Sequence, residues 1–408
     1  MNKNDFDLTD PDLFVDEVPH DVFTWLRNQA PVHWHEEADG PGFWAVTRYD
    51  DVVRVNRDAG TFSSELGGTM LETAPEQQLQ QSRIMMLNMD PPRHTKLRKL
   101  VNKGFTPRHV NNLEQHVRDI ATDIIANVSQ RGSCDFVDDI AAELPLQVIA
   151  EMMGVPNEDR RKIFDWSNRL IGSMDPEYQV TPEANEEARQ ELYVYAQGLA
   201  QQRREDPKDD IISALLTAEV DGERLSDMEF NVFFLLLAVA GNETTRNLVS
   251  HAMLALINNP EQYQKLVDNP SLIPNAVEEF LRWGTPVMQF RRTATKDTEV
   301  AGQPVSEGDK VVIYYISANR DERKFDDPFS FDVTRQNNEH IAFGGGGPHF
   351  CLGANLARLE IQVMFETLLP RLPDIKLAGN VERLRSNFIN GIKHMPVEFT
   401  PAKVPAGV

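Results

Sequence analysis

Residues 343–360 hold the densest set of groups able to do chemistry. They read Phe-Gly-Gly-Gly-Gly-Pro-His-Phe-Cys-Leu-Gly-Ala-Asn-Leu-Ala-Arg-Leu-Glu. Glycine tolerates positive φ and lets backbone approach a partner closely. Cys351 stands just before a helix-forming run, near the partial positive charge of a helix N-terminus, which favours thiolate over thiol. A thiolate binds soft and redox metals, haem iron among them. Alone, Cys351 reads first as a small buried hydrophobe, and the glycine run as often as an anion cradle. A dinucleotide fingerprint fails, because its third glycine falls on His349.

A second candidate lies in the most apolar stretch. Ser226 begins a helix with Asp227 and Glu229 in its first turn, where acids suit the dipole. Phe230 to Ala240 is apolar nearly all round, so this helix belongs inside. It runs to about Asn259, where Pro260 ends it. Within it lies Ala240-Gly241-Asn242-Glu243-Thr244-Thr245. Glycine, an acid and two threonines fit a buried helix badly, and such breaches mark function. The plainer reading has the threonines bonding back to the preceding turn and Glu243 paired inside. Asp90-Pro91-Pro92 opens a third candidate, a helix carrying Arg93, His94, Lys96, Arg98, Lys99 and Lys103. His94 and Arg98 share a face. A solvated face is the plain reading, and a grip on buried carboxylates the sharp one. Glu279 and Arg282, three apart, can pair along one helix, which contributes little if exposed.

The elements around these groups read as follows. Helices are expected at Pro19–Gln29, from an N-cap at Asp50 through Val55, Pro107–Gln130, Ile140–Met153, Asp159–Ile171, Pro182–Glu205, Pro274–Trp283 and Leu352–Leu369. Strands are expected at Val32–His35, Phe43–Arg48, Val287–Val300 and Lys310–Ile316. Gly60–Gln80 reads as a long binding loop and Gly172–Thr181 as a lid. No linker or repeat is visible. The expectation is one domain over residues 1–408, with 1–15 as a loose tail.

The chain has 408 residues and a net charge of −22. That charge argues against general nucleic-acid or anionic-membrane binding. Two cysteines, Cys134 and Cys351, make no disulfide framework. They suit a reducing cytoplasm. Met1–Asp12 lacks the features of a signal peptide. The longest apolar run, Val232–Ala240, is too short to span a bilayer.

Together, Phe343, the glycines, His349, Cys351 and Gly353 resemble the cysteine-loop signature of the cytochrome P-450 family. Ala240–Thr245 resembles its oxygen-activating helix motif. Glu279-Phe280-Leu281-Arg282 resembles its Glu-x-x-Arg pair, and Asn319-Arg320-Asp321 with Phe325–Arg335 the stretch before the haem loop. The extra glycine before His349, and Glu rather than Asp before Thr244, look like the actinobacterial hydroxylases of cholesterol side chains and methyl-branched lipids. The bacterial linalool hydroxylase is a second neighbour. The resemblance implies a mainly α fold with small β-sheets. It implies haem b (iron protoporphyrin IX) between the central helix and the cysteine-loop helix.

It also implies roles. Cys351 ligates the iron. His94, Arg98, Arg292 and His349 hold the propionates, with Arg291 as the rival to Arg292. Ala240, Gly241, Phe343 and Gly353 line the haem site. Thr244 hydrogen-bonds dioxygen and Glu243 relays protons. Glu279, Arg282 and Arg335 are structural. Leu236, Leu237, Ala240, Val287, Met288 and Phe388 line a pocket for an apolar substrate, such as a steroid side chain, terpenoid or methyl-branched lipid. Electrons come from a ferredoxin and its NAD(P)H-dependent reductase, docking over Arg93, Lys96, Lys99 and Arg358. Peroxygenase and haem-sensor readings need no acid–threonine relay, so Glu243-Thr244 speaks for a monooxygenase.

Overall fold

The computed structural model describes residues 6–402, except 173, 179–180, 209, 220–221 and 223; the side chains of residues 103, 109 and 182 are likewise outside the description. The expected lid Gly172–Thr181 and the basic side chain of Lys103 fall partly or wholly outside it.

The central helix spans Asp227–Asn258. Its start is fixed by a capping box: Glu229 N donates to Ser226 Oγ at 3.2 Å, and Ser226 N to the Glu229 carboxylate at 3.0 Å. Such reciprocal caps satisfy two backbone donors that a helix end leaves open. The largest hydrophobic cluster surrounds this helix. Helices Glu143–Met152, Arg160–Ile171, Pro182–Glu205, Ile273–Gly284 and Ala354–Leu368 pack against it.

A five-stranded sheet flanks the helical mass. β1 (Val32–His35), β2 (Phe43–Val46), β3 (Phe62–Ser63), β4 (Gln289–Ala294) and β5 (Lys310–Tyr314) lie in the order β1-β2-β5-β4-β3. β2 and β5 are parallel, with Trp44 opposite Val311; the other pairs are antiparallel. Alternation divides β5 cleanly. Val312 and Tyr314 join a cluster with Phe14, Phe23 and Met288, while Val311 and Ile313 join one with Val46, Val52 and Phe62. A period of two sends successive side chains to opposite faces.

Several expected boundaries move. The segment read as a loose tail packs: Pro11–Phe14 is a 3-10 turn, and Leu8 and Phe14 are buried. The helix placed after Asp50 begins at Tyr49 and runs to Arg57, with Asp50 inside its first turn. Pro107–Gln130 is two helices, Pro107–Asn112 and Glu114–Ser129. Gly60–Gln80 holds β3 and the start of a helix, Glu76–Ser82. Among the described residues, no helix is long and apolar enough to cross a membrane.

Candidate active site

A cavity of about 260 Å³ lies between the central helix and the cysteine loop. The loop is built by its glycines. Gly344, Gly346 and Gly347 have φ of 80°, 100° and 80°, the left-handed region that a Cβ disfavours. A Cβ on Gly347 would sit 2.8 Å from the Asn56 carbonyl oxygen. Asn56 Nδ2 donates to Gly346 O at 2.7 Å and Arg57 Nε to Gly345 O at 2.7 Å. The run is therefore a fitting surface for the helix Tyr49–Arg57 and not the anion cradle that it could have been. Cys351 N donates to Phe343 O at 3.0 Å and closes the loop.

The Cys351 side chain faces the cavity. Burial pushes its thiol up, while the Gly353 N–H, Arg98 and Arg358 pull it down. The helix start alone does not secure a thiolate; a bound cation would. Arg358 stacks 4.7 Å over the Phe343 ring and pairs with Glu278 at 2.7 Å.

Four cationic or donor side chains line one part of the same cavity: His94, Arg98, Arg292 and His349. The two imidazoles lie 4.3 Å apart. Burial first, then the neighbouring guanidinium charge, holds His94 down to about 4. The same causes hold His349 down to about 2. His94 Nδ1 and His349 Nε2 are buried without a hydrogen-bond partner. Arg98 donates to Pro348 O at 3.3 Å. Arg292 donates to Arg291 O at 2.7 Å and to Asn56 Oδ1 at 3.2 Å. No carboxylate forms an ion pair with Arg98 or Arg292 among the described residues. Buried charge is stable only with a counter-charge, so this cluster suits an anionic group bound in the cavity. Strand alternation chooses between the two arginines. Arg292 and Phe290 face the cavity, while Arg291 turns to Glu72 O at 3.3 Å and Thr73 Oγ1 at 3.4 Å.

Much of the remaining lining is apolar. Phe233, Leu236, Leu237, Ala240 and Gly241 of the central helix form it, with Ile149, Val287 and Phe290. Two expected liners are not there. Met288 is 0% exposed and packs on the far face of β4, in the cluster of Phe14 and Tyr314. Phe388 lies behind Phe290, edge-on at 5.5 Å, and does not line the cavity. A Cβ on Gly241 would come 3.0 Å from Ile149, so glycine there lets the helix Glu143–Met152 pack close. Thr244 lines the cavity and donates to Ala240 O at 2.7 Å.

The sequence model of the cytochrome P-450 family matches residues 12–373. The chain belongs to the cytochrome P-450 family. It is 44% identical over 407 residues to a Steroid C26-monooxygenase of Rhodococcus jostii, covering 97% of this chain and 85% of that one. It is 44% identical over 396 residues to a Methyl-branched lipid omega-hydroxylase of Mycobacterium bovis, covering 94% and 92%. A Mycobacterium marinum cytochrome P-450 in complex with pseudoionone superposes with a TM-score of 0.88 at 43% identity, covering 93% of this chain and 94% of that one. This cytochrome P-450 is thus a haem-thiolate monooxygenase.

In this P-450 the Glu-x-x-Arg pair is wholly buried, not exposed. Arg282 Nη2 meets Glu279 Oε1 at 2.7 Å and Arg335 Nε meets Oε2 at 3.1 Å. Glu243 is elsewhere than expected. It is 1% exposed, pairs with Arg246 and does not line the cavity. Arg246 in turn donates to Asn168 Oδ1 at 2.8 Å. Two cations expected for docking are occupied: Arg93 pairs with Glu229 at 3.3 Å and Arg358 with Glu278, while Lys99 is exposed. Sequence reasoning missed Phe233, Phe290, Ile149, Thr245 and Glu360 as liners. The acid nine residues after Cys351 was the one legible signal, because an acid on a buried helix face needs a reason.

Proposed function

We propose that Cys351 ligates the iron of haem b, and that His94, Arg98, Arg292 and His349 hold its propionates. The observation that carries this is the unpaired cationic cluster sharing one cavity with Cys351. Arginine forks match carboxylate geometry, and the two unpartnered imidazole nitrogens can each make one more hydrogen bond. Phe343, Gly353, Ala240 and Gly241 flank the macrocycle. When bound, the haem thiolate supplies the cleavage of O2 and the oxidation of the substrate, and thiolate donation favours the O–O cleavage. The protein positions the reactants, excludes water and provides protons. Thr244 presents a hydroxyl to the cavity. Glu243 delivers protons toward it from its buried pair with Arg246. Glu279, Arg282 and Arg335 hold the polypeptide beneath the cysteine loop.

The apolar lining selects an apolar substrate, a steroid side chain, terpenoid or methyl-branched lipid. The names of the relatives support the first and third. The electrons come from a ferredoxin and its NAD(P)H-dependent reductase, docking near Lys99. We read the chain as one cytoplasmic domain. The test has two parts. The reduced protein with carbon monoxide should show the red-shifted Soret band of thiolate-ligated haem, and Cys351→Ala should lose it. A panel of sterols, terpenes and branched lipids should then displace the iron's water ligand, read as a spectral shift. A wild type without the shifted band would overturn the ligand assignment.

A further inference from the structure

The segment Met174–Tyr178 follows the helix Arg160–Ile171 and is gripped by side chains from the end of the chain, around the strand Ile392–His394. Lys393 Nζ meets Asp175 Oδ1 at 3.1 Å and Glu177 Oε2 at 2.9 Å. Arg385 donates from its backbone N to Asp175 Oδ2 and from Nη1 to Met174 O, both at 2.9 Å. His394 bridges two carboxylates, Glu177 Oε1 through Nε2 and Asp135 Oδ2 through Nδ1, each at 2.9 Å. The strand itself is tied to the central helix. Ile392 N donates to Asn247 Oδ1 at 3.0 Å, and Asn247 Nδ2 donates to Glu243 O at 2.9 Å. Of the two sides of this clasp, the segment Met174–Tyr178 is the one free to move.

The grips differ in burial. The Lys393 and Asp175 side chains are 13% and 2% exposed, those of His394 and Glu177 32% and 39%. Water and protons reach the second pair first. An imidazole donates from both nitrogens only when charged, so a neutral His394 leaves one carboxylate facing a lone pair. The groups around it are mostly acids. The strand Ser133–Asp135 brings Asp135, and the turn Val137–Ala141 brings Asp138, with ligand-capable atoms of Asp135, Asp138 and His394 all within 4.8 Å of one another. Asp139 of that turn is taken by Arg131. Glu382 stands opposite His394 across its strand pair. The cations are Lys393 beside it and Arg246 of the central helix, which acts on Asp138 but pairs with Glu243. Burial pulls His394 down, but its bonds to Glu177 and Asp135 outweigh that and leave it above the ordinary histidine value. The same segment carries Tyr178, on which the charges of Arg246 and Glu243 act.

We propose that His394 is a pH-keyed catch: charged, it fastens Met174–Tyr178 beside the Glu243–Arg246 pair, and neutral, it lets the segment lift so that water reaches that pair. The closed form favours the charged imidazole. Closure is therefore strongest below the ordinary histidine value and weakens as pH rises through the raised one. Lys393 and Asp175 tether the segment in both states. The catch makes no contact with the cysteine loop, so it stands or falls apart from the haem assignment.

The test uses the holoenzyme and two variants, His394→Gln and Glu177→Gln. Hydrogen exchange at the amides of Met174, Asp175, Glu177 and Tyr178, corrected for the intrinsic pH dependence of exchange, reads the opening. Magnetic resonance of isotope-labelled histidine reads the His394 midpoint, which should lie above 6.5. Wild-type protection should fall several-fold as pH rises through that midpoint. In His394→Gln it should be low and flat with pH, while the strand at residues 392–394 keeps its protection. A flat wild-type profile, a midpoint at or below 6.5, or a His394→Gln protein with the wild-type profile overturns the proposal. Should His394→Gln not fold, Glu177→Gln decides: it should lower both the His394 midpoint and the protection at acid pH, and leaving both unmoved overturns the proposal as well.

Discussion

Two Glu–Arg pairs, each three residues apart on a helix, are both buried, and they differ in how fully their polar atoms are satisfied. Glu279 and Arg282 are each 0% exposed and saturated with partners. The Glu279 carboxylate also accepts from Asp332 N at 3.0 Å, Asn338 Nδ2 at 2.9 Å and Arg335 Nε at 3.1 Å. The Arg282 fork reaches the carbonyls of Asn319, Pro328 and Ser330. It therefore stitches the helix Ile273–Gly284 to the whole segment before the cysteine loop. Glu243 and Arg246 meet each other, Asn168 and the Phe164 ring, and little else. Glu243 Oε1, Arg246 Nε and both amide atoms of Asn242 are buried without partners. A saturated pair fixes one conformation. An undersatisfied one has room for water and rearrangement. Spacing does not separate the saturated pair from the undersatisfied one; third partners do.

The largest effect should come from Glu279→Ala, which takes the carboxylate from the buried Arg282 guanidinium and from the partly buried Arg335. It is expected to cost about 3–5 kcal/mol, read as a shifted denaturation midpoint with loss of bound haem. Arg282→Lys keeps the charge but loses the fork. We expect about 1.5–3 kcal/mol. Glu243→Gln should cost about 1 kcal/mol or less, yet lower the share of reducing equivalents that reach product. If Glu243→Gln destabilised the fold as strongly as Glu279→Ala, the distinction between the pairs would be wrong.

A pH experiment sharpens the comparison with the smallest signal. Burial raises the Glu243 carboxyl, with Arg246 opposing. A carboxyl whose folded pKa exceeds its unfolded value favours folding while protonated. Its contribution is full below the unfolded value and falls as pH rises toward the folded one. The wild type should therefore lose stability relative to Glu243→Gln across that window, and a flat difference would show the pair to be fully compensated. The same logic predicts a window for Glu360→Gln between the ordinary glutamate value and about 8.

The chemistry-bearing residues were legible because each broke a local rule. A cysteine after four glycines and an acid and threonines in an apolar helix are choices that folding alone does not explain. The pocket liners were poorly legible, because apolar residues look alike in sequence. Met288 and Val287 are adjacent and both precede β4, so its alternation does not carry back to them; only Val287 lines the cavity, while Met288 packs with Phe14 and Tyr314. The loose tail was misread for a related reason. Leu8 and Phe14 are isolated apolar residues in a polar stretch, and the cluster that buries them includes Met288, Val312 and Tyr314, far along the chain.

By itself the sequence determined the family, the cysteine, the buried central helix and the pairing of Glu279 with Arg282, since local pattern and composition encode these. Tertiary structure decided which of two adjacent arginines faces the cavity, and that Glu243 turns to Arg246 while Glu360 lines the cavity. The reason is geometric. Where a side chain points depends on the phase of its strand or helix against distant neighbours, and no stretch of residues carries that phase alone.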